Sequence, residues 1–152
     1  MARTLPESDL RRFDGANPDW RRSDDGRYLL GLIIESPRAL ALRLGLRVEK
    51  LPPGAVLRFG SVSPDAPAPI VVVARDVLEM LGINRAAAPQ DPTANIYWSP
   101  LIEGEQIAFE LELPAGVEPS EVSVNLLQLS HFYAAWSPQG DRLAKRDLGL
   151  AG

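Results

Sequence analysis

Residues 40–48 alternate apolar and polar positions: Leu40, Leu42, Leu44, Leu46 and Val48 share one phase, while Arg43 and Arg47 occupy the other. This period of two predicts a strand with one buried face. On a helix, at about 100° per residue, the same five side chains would scatter around most of the circumference, leaving no i, i+3, i+4 stripe to bury. Glu49, Lys50, Leu51, Pro52, Pro53 and Gly54 then form a turn, and residues 55–59 resume a short apolar alternation. Two strands do not survive alone in water, so the unit predicts a larger sheet with a second layer packed on it.

The same reasoning extends along the chain. Residues 28–35 are almost continuously apolar and read as a central strand, closed by Ser36 and Pro37. Ile70, Val71, Val72 and Val73 are four consecutive β-branched residues, the strongest strand composition present. Val77, Leu78 and Leu81 instead have helical spacing, which predicts one short helix over 75–83, with Asp76 near its start and Gly82 as its stop. Residues 96–98 predict a brief aromatic strand. In 106–113, Ile107, Phe109, Leu111 and Leu113 oppose Ala108, Glu110 and Glu112, a clean inside-outside alternation. Residues 122–132 are mixed: Val122, Val124, Leu126 and Gln128 share one phase, and Leu127, Leu129 and His131 the other, which suggests a strand covered on both sides. Roughly seven or eight short strands separated by Pro/Gly loops predict an all-β fold, a two-layer antiparallel β-sandwich of jelly-roll type with one short helix. The expected organisation is an arm over 1–27, a sandwich over 28–137 and a connecting tail over 138–152. Phe13 and Trp20 are the arm's candidates for docking onto the body.

Composition narrows the function classes. With 152 residues the chain is long enough for one domain with a sufficient core. The absence of cysteine excludes disulfides and thiolate chemistry, and a single histidine excludes the usual structural zinc sites, so no metal or cofactor is expected. Sixteen basic against 20 acidic side chains give a net charge of -4, which argues against nucleic acid as a partner. No membrane span is predicted. The first residues lack the apolar core of a signal peptide, leaving either a cytoplasmic location or a signal that has been removed.

Candidate chemistry is sparse. His131 could serve as a general base or ligand, but a strand histidine hydrogen-bonded at the end of a sheet is the more ordinary state. Neighbouring Ser130 points to the opposite face of the same strand and cannot pair with it as a nucleophile. Glu103, Glu105, Glu110, Glu112, Glu118 and Glu121 read as a solvated surface rather than a site of converging oxygen ligands. Trp98, Tyr133 and Trp136, with Tyr97 and Phe132, offer either a stacking platform for a polysaccharide surface or ordinary core and rim packing. The terminal segment Leu143, Ala144, Lys145, Arg146, Asp147, Leu148, Gly149, Leu150, Ala151, Gly152 is suited to lie extended in another protein's groove.

Several stretches carry a family resemblance. Tyr97-Trp98-Ser99-Pro100-Leu101-Ile102-Glu103-Gly104-Glu105, then Ile107 through Gly116, and later Leu129-Ser130-His131-Phe132, resemble the amino-terminal pro-region of secreted bacterial trypsin-like serine endopeptidases related to lysyl endopeptidase. Leu42-Arg43-Leu44 with Leu51-Pro52-Pro53-Gly54-Ala55-Val56-Leu57-Arg58-Phe59-Gly60 is similar to the strand, turn and strand of such regions. The resemblance implies a non-catalytic pro-domain that assists folding of a downstream serine protease domain and keeps it latent. It also implies a secreted or periplasmic precursor whose signal peptide is absent from this sequence. None of the family's catalytic residues is carried over, and the chain is not expected to be an enzyme. Residues 143–152 would approach the protease's substrate groove, with Lys145 as the recognition side chain if that protease prefers lysine. Alternatives are a polysaccharide- or surface-binding module and a structural secretion-interaction domain.

Overall fold

The computed structural model describes residues 2–4 and 11–133, with side chains from residue 12 onward. Trp136 and the tail over 138–152 lie outside the described residues. The alternating segment forms β5 (Ala41–Lys50), the strand about which the first sheet is built; Leu40, expected in the buried phase, lies just before it and is 42% exposed. Leu42, Leu44 and Leu46 are wholly buried on its inner face, and Arg43 and Arg47 lie on the other.

Two antiparallel sheets form the body. The first contains β1 (Ala2–Thr4), β2 (Arg11–Asp14), β5, β8 (Ile96–Trp98), β9 (Ile102–Glu103) and β11 (Ser123–Phe132). In it β1 and β2 lie end to end along one side of β11, while β8 and β9 lie end to end along the far side of β5. The second has the order β3 (Arg21–Arg22), β4 (Tyr28–Glu35), β10 (Gln106–Glu112), β6 (Val56–Gly60) and β7 (Ile70–Val73). The chain repeatedly crosses between them, giving β2-β11-β5-β8 in one layer and β4-β10-β6-β7 in the other. That winding is a jelly roll, as the strand count and turn pattern predicted.

The core between the layers is an aromatic column extended by aliphatic side chains. Phe109 on β10 has ring centroids of Phe13 on β2 and Phe59 on β6 each 4.9 Å away, and Phe59 continues to Tyr97 on β8 at 6.5 Å. Phe13 is 1% exposed, so β2 contributes to the core itself, and Trp20 packs at its margin.

Three local readings change. The mixed faces of β11 come from β-bulges. Val124 and Leu126 face Val48 and Leu46, Leu127 is an extra residue, and Leu129 and His131 then face Leu44 and Leu42 on the same inner side. One inserted residue reverses the phase of everything after it. Deleting Leu127 would bring Gln128 directly after Leu126 and leave these inward pairs in one regular ladder. The deletion is therefore expected to retain the fold, with a loss of about 1–2 kcal/mol or less by urea titration, whereas deleting Leu44 from β5 should disrupt it.

The helix is longer than its spacing suggested. It runs as α1 (Ala74–Ala87), straight through Gly82, with Ala74, Val77 and Leu81 buried. All three anchors precede Gly82; beyond it the helix runs on through the helix-favouring Arg85, Ala86 and Ala87, with the Ala88 amide donating to the Asn84 carbonyl. A Cβ at Gly82 would have nothing within 4 Å. Gly82→Ala is accordingly expected to stabilise by about 0.5–1 kcal/mol, seen as a raised melting temperature, because alanine has less backbone entropy to lose. Residues 28–35, read as a central strand with apolar character throughout, form β4 with only one face turned to the core: Leu30 is buried, while Ile33 on the opposite face is 59% exposed.

Candidate functional site

The outward face of the second sheet can be read row by row from its register. Gly31, Glu110, Arg58 and Val71 form one row across β4, β10, β6 and β7; Ile33, Ala108 and Gly60 form the next. Ala108 and Gly60 in the second row, with Gly31 in the first, make room for a groove of about 880 Å³, whose lining also includes Trp20, Ile33 and Pro69, with Arg58 and Glu110 among its polar groups.

The strand glutamates are tied into ion pairs there. Arg58 donates to Glu110 at 3.1 Å and to Glu112 at 3.3 Å; Arg27 reaches Glu112 at 2.9 Å and Asp25 at 3.1 Å; Arg21 lies 3.9 Å from Glu110. The hydrogen bond to Glu112, reinforced by Asp25, raises the Arg27 guanidinium above its ordinary pKa. Asp25 is held below the usual carboxylate range chiefly by the hydroxyl of Ser23. These groups neutralise one another on an open face. Replacing Arg58 by methionine retains the packed stem but leaves Glu110 and Glu112 side by side. The expected loss is about 1 kcal/mol at low ionic strength, shrinking in molar salt, as chemical denaturation at the two salt concentrations would show.

A second polar cluster lies at the end of β11. The β11 bulge turns His131 inward opposite Leu42. Ser36 reaches it from the turn after β4, its Oγ 2.5 Å from His131 Nδ1, and the Tyr133 hydroxyl is 3.0 Å from the same nitrogen. The turn is set by Pro37 and by Arg38 at φ 69°, with the Ala39 amide donating to the Ser36 carbonyl. Sequence reasoning placed the hydrogen-bonded histidine and the opposed Ser130 correctly but missed Ser36, which is 95 residues away and has no local signature. Ser36 is 4% exposed and shares the imidazole nitrogen with Tyr133. The arrangement ties the end of β11 to the β4–β5 turn; it does not present an open nucleophile.

The candidate stacking aromatics are already engaged. Trp98 sits on the outer face of the first sheet, with the Arg43 guanidinium 4.9 Å from its ring centroid. Tyr133 is half exposed and stacks on His131 at 5.5 Å. Trp98 and Tyr133 thus provide no support for a polysaccharide platform. Among the described residues there is no cluster of three or more His, Asp or Glu able to hold a metal ion, and no helix long and apolar enough to cross a membrane. Glu118 and Glu121 are used in a capping box around the short 3-10 helix Pro119–Glu121.

The fold, with its ion pairs and the Ser36–His131–Tyr133 cluster closed on themselves, defines a β-sandwich module. Comparison with known families places it more narrowly: residues 1–133 match the lysyl endopeptidase N-terminal domain, and the chain belongs to that family. A lysyl endopeptidase of Pseudomonas aeruginosa is 29% identical over 135 residues, a match covering 84% of this chain and 24% of the relative. The chain thus spans about a quarter of that relative's length. No solved structure matches.

Proposed function

We propose that this module is the non-catalytic pro-domain of an exported serine endopeptidase precursor, assisting the protease part to fold and holding it latent until cleavage. The observation that carries this reading is the match of residues 1–133 to the lysyl endopeptidase N-terminal domain family. The similarity to 24% of a lysyl endopeptidase supports a region that acts on a larger remainder. A protease built from non-local strand pairings pays loop-closure entropy before it gains contacts, and a preformed β surface lowers that barrier. In this reading residues 143–152 run toward the substrate groove of the protease, with Lys145 as the side chain a lysine-preferring site would take.

The test is refolding of the protease part with and without the module supplied separately, followed by titration of mature protease with the module. Recovery of activity that depends on the module, and inhibition of the mature enzyme, are expected. Equal recovery without it would remove the folding role; undiminished peptidase activity at saturating module would remove the latency role.

A further inference from the structure

We propose that the open edge of β7 is the docking edge for an extended segment of the downstream protease part, which adds to the second sheet as a further strand. This rests on the pro-domain reading above and specifies the surface through which it acts.

The sheet edges differ in how they are protected. Beyond β3 the second sheet ends in two exposed arginines, Arg21 and Arg22. In the first sheet, β8 and β9 are three and two residues long and are separated by a segment containing Pro100, while β2 carries Arg11, Arg12 and Asp14. Short length, proline and charge are the usual protections against unwanted strand pairing. The β7 edge is four residues long but carries neither proline nor charge within Ile70–Val73: Ile70 is 44%, Val71 58% and Val73 40% exposed.

Main-chain direction reinforces the contrast. The Ala74 amide donates to the Ala55 carbonyl at 2.9 Å, and β7 pairs antiparallel with β6 in register with that bond. Alternation then turns Ile70 and Val72 toward β6, and aims the N–H and C=O of Val71, with the N–H of Val73, at the open side. An added strand would find main-chain partners there and an apolar surface on Val71 and Val73.

The protease part is favoured over a second copy by interface size. A four-residue edge is far smaller than the roughly 1,200 Å² or more buried by stable independent complexes. A segment in the same polypeptide needs less, because the linkage holds it at an effective concentration of about millimolar. The preferred occupant is an uncharged extended segment with β-branched or aliphatic side chains at alternate positions.

The test compares the full precursor with versions carrying Val71→Pro, which removes an outward N–H without touching a β6 hydrogen bond, and Val71→Lys, which charges the edge. Met80→Lys, at an exposed position of α1, is the control. Melting of the variant modules should stay close to that of the parent. Both edge variants are expected to lower the yield of active protease by about tenfold or more, and the Val71 and Val73 amides should exchange about tenfold more slowly in the precursor than in the module alone. Module-dependent yield with parent-like edge variants and unchanged exchange would overturn the edge assignment while sparing the pro-domain reading. Yield that is indifferent to the whole module would overturn that reading itself. Self-association of the module abolished by Val71→Lys would reassign the edge to a second copy.

Discussion

Replacement of Phe109 by alanine is expected to cost about 3–5 kcal/mol, a large share of the roughly 5–15 kcal/mol that holds a typical domain together. The side chain is 1% exposed, and its ring lies between Phe13 and Phe59, which come from opposite layers. Truncation would open a void that neither neighbour can fill without leaving its own strand position. Urea unfolding followed by tryptophan fluorescence should show a much lower midpoint with an unchanged slope. Phe109→Leu, which retains most of the volume, should lose clearly less. A loss below about 1 kcal/mol for the alanine variant would mean that the column is not a packing centre.

The second large effect is expected at Gly45, on the outer face of β5. A Cβ placed there would meet Trp98 at 3.1 Å and the Gln128 Cβ at 3.2 Å, so Gly45→Val must displace a large ring that also carries the Arg43 guanidinium. Overpacking of this kind costs about 1–3 kcal/mol. Because the indole is one of the two obstacles, the penalty should shrink in a Trp98→Ala background. A double-mutant cycle reads that coupling directly; purely additive effects would assign the strain to the Gln128 Cβ instead.

Much of this architecture was legible in the chain. The alternations that became β5 and β10 were readable because each strand has one face against the core and one away from it, and the period therefore survives in the sequence. The bulge at Leu127 was not: a single insertion shifts phase without changing composition, and it imitates a strand buried on both sides. Gly82 misled because a single glycine costs a helix only about 1 kcal/mol, and the helix-favouring Arg85, Ala86 and Ala87 that follow carry it on. The composition of Ile70–Val73 announced a strand but said nothing of whether its outer side would have a neighbour. Glu110 and Glu112 were correctly placed on an outer face, but their shared partner Arg58 lies on another strand, and such pairing emerges only from register. The Ser36–His131 contact was hidden by sequence distance alone.

The position of β11 also sets the order of events during synthesis. It is the last strand described, yet it lies inside the first sheet, between β5 on one side and β1 with β2 on the other. Until residue 132 has left the ribosome, those flanking strands have no common neighbour and that layer is divided in two. The module is thus completed at the moment translation moves on to whatever follows it, and a nascent chain arrested before residue 123 should remain sensitive to protease where one arrested well beyond residue 133 becomes resistant.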